Sequence, residues 1–340
     1  MKLKWVRTFG ALSLGLCASV VNAIEVTGSG NAGSLSGALN IDSGISITSS
    51  NLSYQALFDG AGQRTAISSG TYTNNSGVYG IADGVIFSTG DVADYGDFTG
   101  TDNSGETSTI YAADSTDIAT GTQKSMLDLV TGDPTLTYAD ATEFSLTFDV
   151  GADVDRIFFN VAFGSEEFSR FLGTNFVDAF GIFLNGENIA IFKGDGVDVN
   201  HKDENGLFDM GPVDGTELNG MLSPNWDANG PTGNPIMLFE GAVNGGASNT
   251  LTFIIADASD SFDAQVDSTV FVSGLTTINP LCDPNATGVG TQGGGIVTDF
   301  STCNTGGGNQ PPPSNNVPEP ATLVLLGAGL LGLRLRKRKV

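Results

Sequence analysis

Two adjacent glutamates, Glu166 and Glu167, stand between two apolar runs, 157–163 and 176–184. Carboxylates in such a place can do acid–base chemistry, hold a cation, or serve the local fold. Glycosidases set two carboxyls about 5–9.5 Å apart on either side of the bond they cut. Neighbours in an extended chain point to opposite sides, so this pair does not easily flank one substrate, and catalysis would need Glu166 or Glu167 with a distant Asp. The local use is a short helix over 165–172, with Ser165 as its N-cap and Phe168 and Phe171 packing down. The cation use draws in more residues. Asp178 precedes one apolar run, and Asp257, Asp260 and Asp263 follow another. Calcium takes about six to eight oxygen ligands, many from carboxylates and loop carbonyls, and loops at one edge of a sheet can supply them. Calcium is therefore the one cofactor these residues suggest, with Glu166, Glu167, Asp178, Asp257, Asp260 and Asp263 as its candidate ligands, although their spacing is not that of an EF-hand. A second acidic group, from Asp195 to Asn205, surrounds His201, the only histidine. A lone histidine in a loop is ordinarily solvated. Neither a Gly-x-Ser-x-Gly elbow nor a phosphate-binding Gly-Lys loop occurs. No catalytic set emerges, and the competing reading is an extracellular glycan-active hydrolase built on Glu166 or Glu167 with a distant Asp.

The elements that must position these groups read as strands. Phe144, Leu146, Phe148 and Val150 alternate with Glu143, Ser145, Thr147 and Asp149, the period of a half-buried strand. Ile157, Phe159, Val161 and Phe163 face one way and Phe158 and Ala162 the other, which suits a strand covered on both sides. Asn185-Gly186 suits a tight hairpin turn, because both residues tolerate positive φ, and 188–192 is the expected returning strand. Val85 and Phe87 share a face within 84–90, and Leu251, Phe253 and Ile255 alternate farther on. Residues 269–272 close the sheet region. A short helix is expected over 124–130, with Met126, Leu127 and Val130 on one side. Residues 91–123 and 194–235 read as long polar or acidic loops. With 47 Gly among 340 residues and no long helical pattern, the expected fold is all-β, a β-sandwich of jelly-roll type with short helices, long acidic loops and a C-terminal apolar helix.

The two ends of the chain differ from its middle. Of 14 basic residues only six lie between Arg7 and Arg334, along with all 38 acidic ones, so that span carries −32 against −24 for the whole chain. Such a field repels nucleic acid and anionic surfaces and attracts cations. Residues 1–23 have a basic start, an apolar run and Val21-Asn22-Ala23, the form of a secretory signal cleaved after Ala23. Leu16 before Cys17 argues against lipoprotein processing. The expected mature domain spans 24–278. A Gly/Pro-rich linker follows over 279–316, where Cys282 and Cys303 can close one disulfide loop in an oxidising compartment. Residues 317–340 combine Pro318-Glu319-Pro320, an apolar segment over 321–333 and a basic tail from Arg334 through Arg336. The apolar segment is shorter than the ~20 residues of an ordinary spanning helix, and the basic end belongs in the cytoplasm.

That C-terminal pattern resembles the PEP-CTERM sorting signal of Gram-negative bacteria. The resemblance implies processing by an exosortase, transient anchoring in the inner membrane, and delivery to the cell surface or the extracellular polysaccharide matrix. A second resemblance runs through 84–90, 144–148, Phe163-Gly164-Ser165-Glu166-Glu167-Phe168, Asp178 to Leu184, and 257–272. These stretches resemble the choice-of-anchor L domain, with Phe168 where the family often has Tyr, and Val177-Asp178-Ala179 where it often has Asn-Asp-Val. That family implies a surface address and a β-sandwich, and it supplies no reaction. The expected function is a non-enzymatic, exported adhesion, matrix or glycan-binding module, stabilised by calcium, with polysaccharide or other surface components as partners and no nucleic acid.

Overall fold

Apolar residues alternating with small polar ones dominate the chain, and strands are the local answer to that period. The computed structural model describes residues 24–74, 81–96, 118–165, 178–192, 236–258 and 267–280, with short paired segments between 195 and 231. The chain divides into Met1–Cys303 and Asn304–Val340, and every described residue belongs to the first unit.

The first half holds β1 (Glu25–Gly28), helix α1 (Ala32–Ala38), β2 (Ile45–Ser53), β3 (Ala56–Phe58), β4 (Arg64–Ile67), β5 (Ser69–Thr73) and β6 (Gly84–Ser88). Helix α2 (Gly121–Thr131), β7 (Tyr138–Val150), β8 (Arg156–Ser165), β9 (Ala179–Leu184) and β10 (Glu187–Asn188) follow. Six two-residue strands pair off in hairpins: β11 (Ile191–Phe192) with β12 (Asp195–Gly196), β13 (Phe208–Asp209) with β14 (Leu222–Ser223), and β15 (Trp226–Asp227) with β16 (Gly230–Pro231). The last three are β17 (Met237–Ala242), β18 (Ser248–Ala258) and β19 (Ser268–Thr276).

Two antiparallel sheets make the sandwich. One has six strands in the order β1-β5-β6-β19-β8-β17, and the other five in the order β10-β9-β18-β7-β2. The expected all-β sandwich is therefore the fold. The inward stripes interdigitate in one apolar core: Val85 and Phe87 from β6, Phe159 and Phe163 from β8, Val270 and Val272 from β19, facing Phe144 and Phe148 from β7, Phe180 from β9 and Phe253 from β18. Phe163 stacks on Phe180 with centroids 5.9 Å apart, and Phe159 meets Phe253 edge-on at 5.6 Å. Such pairs join one sheet to the other, and each adds about 0.5–1.5 kcal/mol beyond its buried area.

The apolar runs on either side of Glu166-Glu167 form β8 and β9, which lie in different sheets. β19 sits between β6 and β8 in the middle of its sheet, not at its margin. Helix α2 includes the expected helical stretch. Leu127 and Val130 point down onto Ala179, Phe183 and Ile254, and Gly132 ends the helix at φ 70°. At the β9–β10 turn, Asn185 (φ 52°) and Gly186 (φ 87°) adopt the two positive φ angles of a type I′ hairpin.

Two expectations need correction. The returning strand of that hairpin is Glu187–Asn188 alone, because Ile191–Phe192 turns away to pair with β12. The 91–123 stretch is not simply a surface loop. Asp91 is 6% exposed and accepts from the amides of Ile67 and Ala93, so it caps a 3-10 turn, Val92–Tyr95, whose Val92 and Tyr95 are buried. Among the described residues, no helix is long and apolar enough to cross a membrane. The expected signal sequence with Ala23, the pair Cys282 and Cys303, and the C-terminal stretch with Pro318, Glu319, Pro320, Arg334 and Arg336 lie outside the described residues.

Candidate functional site

The inward stripes do not stay apolar to both ends. On β6 the stripe Val85, Phe87 runs on to Thr89, and on β8 the stripe ending at Phe163 runs on to Ser165. On β19, Ser268 precedes Val270. In the facing sheet, Thr142 precedes Phe144, Asp178 precedes Phe180, and Asp257 follows Ile255. All six polar residues fall at the same end of the sandwich, and all are buried, with Asp178 at 0% exposure and Asp257 at 5%. Alternation carries each side chain into the space between the layers. The apolar core thus ends on a floor of hydroxyls and carboxylates.

Register explains how the carboxylates come together. Ala256 of β18 pairs with Ala179 of β9, so Asp257 and Asp178 are neighbours at the next position. On the other flank Asp257 pairs with Ala139 of β7, across a β-bulge that leaves β7 with one extra residue. Asp140 lies in that bulge at φ 49°, buried at 2%. Short polar side chains such as Asp tolerate this left-handed conformation better than most.

The hydroxyls bond across the layers at Thr142 and along the six-stranded sheet at Ser88, Thr89 and Ser268. Thr142 Oγ1 donates to Ser68 Oγ at 2.6 Å. The Ser268 amide donates to Thr89 Oγ1 at 3.0 Å, and Thr89 Oγ1 donates to Asp267 Oδ1 at 3.3 Å. Ser88 Oγ donates to the Ser268 carbonyl at 3.1 Å. Asp267 is wholly buried, and its carboxyl occupies the space where a Cβ at position 90 would go, so any larger residue than Gly90 would displace that carboxyl.

Of the six residues expected as calcium ligands, the structure brings Asp178 and Asp257 side by side. Asp257 is inside β18 rather than in the loop after it. Glu166, Glu167, Asp260 and Asp263 lie outside the described residues. Ser165 is the last residue of β8, paired with Ser268, and the helix expected to follow it lies outside the described residues. Among the described residues, no three His, Cys, Asp or Glu side chains stand close enough together to hold a metal ion. Thr89, Thr142, Ser268 and Asp140 belong to the same floor without having stood out in the sequence, and Asp267, the last of the acidic residues clustered after 251–256, joins them. For Thr89, Thr142 and Ser268 the signal is a Ser or Thr at the end of an apolar alternation, where the next apolar residue is due.

The opposite end is built from short turns. Asn249, 1% exposed, joins two of them. Its Oδ1 accepts from the Asn244 amide at 2.8 Å and from Asn185 Nδ2 at 2.9 Å, while its Nδ2 donates to the carbonyls of Asn244 and Ala247. Nearby, Asp42 receives the Gly44 and Thr277 amides and the hydroxyls of Thr276 and Thr277. Desolvation pushes the Asp42 pKa up, but these bonds outweigh it and hold the carboxyl at about 2.

The choice-of-anchor L domain model matches residues 26–276, which includes the whole sandwich and both ends described above. The chain belongs to the choice-of-anchor L domain family. The model for the PEP-CTERM protein-sorting motif matches residues 316–339. Among curated proteins and among solved structures, none matches the chain significantly. The two family matches are those expected from the residues. For this choice-of-anchor L chain, the sorting motif indicates export and surface or membrane-associated sorting, and it implies processing by an exosortase.

Proposed function

We propose that this chain is a non-enzymatic adhesion or matrix module that binds glycan at the surface, or in the extracellular polysaccharide matrix, of a Gram-negative bacterium. The observation that carries the reading is the pairing in one chain of a choice-of-anchor L domain, 26–276, with a PEP-CTERM motif, 316–339. The middle of the chain carries strong negative charge, and the carboxylates of Asp178 and Asp257, which the register places side by side, are buried, which favours a binding domain over a hydrolase. The tail anchors the protein transiently in the inner membrane until the exosortase acts. Deleting residues 317–340 is expected to move the protein from the surface to the periplasm. Unchanged surface placement, followed by immunolabelling of intact cells, would remove the sorting part of the reading.

Calcium stabilises the domain in this proposal. The floor offers only oxygen donors, the chemistry a hard cation selects, and Asp178 and Asp257 would be its carboxylate ligands, joined by ligands from Glu166, Glu167, Asp260 and Asp263. A cation that binds the folded state alone raises the melting temperature by mass action. Millimolar calcium added to EDTA-treated protein is therefore expected to raise Tm. An unchanged Tm would remove calcium and leave the surface role standing.

A further inference from the structure

The outward face of the five-stranded sheet is divided. Towards the carboxylate floor, α2 covers Ala179, Phe183, Ile254 and Ala256. Beyond it the face carries small polar residues in rows set by the register. Ser49, Thr147 and Thr250 form one row across β2, β7 and β18, and Asn51, Ser145 and Thr252 form the next. Ser49, Asn51 and Thr250 are exposed, Thr147 and Ser145 half-buried, and Thr252 buried. Ser145 Oγ and Thr252 Oγ1 share a 3.0 Å hydrogen bond within the face. Strand geometry spaces the hydroxyls about 4.8 Å apart across the rows and about 7 Å along the strands.

Three properties of this face select a partner. Every group in the two rows can both donate and accept a hydrogen bond, as sugar hydroxyls do. The side chains are short, so little rotamer freedom is lost when they are fixed. The rows themselves are neutral but lie on β7 between Glu143, which accepts from Ser145 Oγ at 3.3 Å, and Asp149, and a chain with net charge −24 repels polyanions. We propose that this face binds a neutral polysaccharide lying flat across β2, β7 and β18. The inference rests on the glycan-binding reading above and adds to it a place and a charge class.

The test uses the mature chain, with microcrystalline cellulose and cross-linked dextran as neutral probes and alginate beads as the anionic one. The triple variant Ser49→Ala/Thr147→Val/Thr250→Val removes three hydroxyls with little change of shape. It is expected to lower retention on a neutral probe by roughly tenfold, the scale of one or two lost hydrogen bonds. Thr65→Val, at an exposed position on β4, is expected to bind as the parent does. If the triple variant fails to fold, Thr250→Lys makes the same test by obstruction at an exposed site. Full retention by the variants overturns the assignment to this face while glycan binding stands. Retention of the parent on alginate alone overturns the neutral class. Retention on no polysaccharide removes the glycan reading and this inference together.

Discussion

The inward stripe of β18 starts at Asn249 and ends at Asp257, and the two ends of the sandwich bury their polar groups by different means. Asn249 is neutral, and its amide is matched by backbone and side-chain groups of two short turns a few residues away in sequence or one strand over. Asp257 is a carboxylate beside a second carboxylate, Asp178, on the adjacent strand. A buried amide with its hydrogen bonds made closes and rigidifies a turn. A buried pair of like charges is costly unless something of opposite sign or strong hydrogen-bonding power answers it. One end is thus closed by the neutral amides of its own turns, while the other brings two acidic side chains together, which is why the proposed cation is assigned there.

The comparison can be broken most visibly between the two ends. Phe253→Ala in the middle of the same stripe is expected to cost about 3–5 kcal/mol in urea unfolding, because it opens a cavity in a closed core. That sets the scale for purely apolar loss. Asn249→Ala is expected to cost about 1–3 kcal/mol, since it strands the Asn244 amide and Asn185 side chain without a buried partner, and to leave any calcium-induced rise in Tm intact. Asp257→Asn is expected to do the reverse: a modest change of stability in EDTA and loss of the calcium-induced rise, read by melting curves with and without the ion. Equal calcium responses in the two variants would erase the distinction between the ends.

The smallest effect belongs to Asp42. Its pKa is lowered from 3.8 to about 2, so its contribution is fully present above the unfolded value and is lost as pH falls through the folded one. Asp42→Asn is therefore expected to flatten the loss of stability between about pH 4 and pH 2 and to leave Tm at neutral pH lower. The group is largely open to solvent, which keeps the effect small.

Strand positions were legible because alternation is a local signal. The stripes of β7, β8 and β18, the Asn185-Gly186 turn and helix α2 all follow from period and turn chemistry. The split of β8 and β9 between two sheets was not, because alternation says which face is buried and nothing about which layer the strand joins. The floor was half legible. Asp178 and Asp257 stood out as carboxylates beside apolar runs, whereas Thr142, Thr89 and Ser268 looked like ordinary strand residues. Their meaning comes from six strands ending together, which is a tertiary fact. Asn249 was hidden for the same reason, since its partners at 185 and 244 lie on separate turns.

One consequence concerns mechanical load. The linker towards the sorting tail leaves the sandwich at the end of β19, and β19 lies between β6 and β8 with hydrogen bonds to both. Tension between a tether there and a partner held at the far end would run along the strand. Both ladders would then resist by shearing together instead of opening one bond at a time. Asp42, gripping Thr276 and Thr277, takes the first of that pull where the chain leaves the sheet. A protein retained on a surface by its C-terminus is thus tethered through the interior of its sheet, not through a strand at the edge that could peel away.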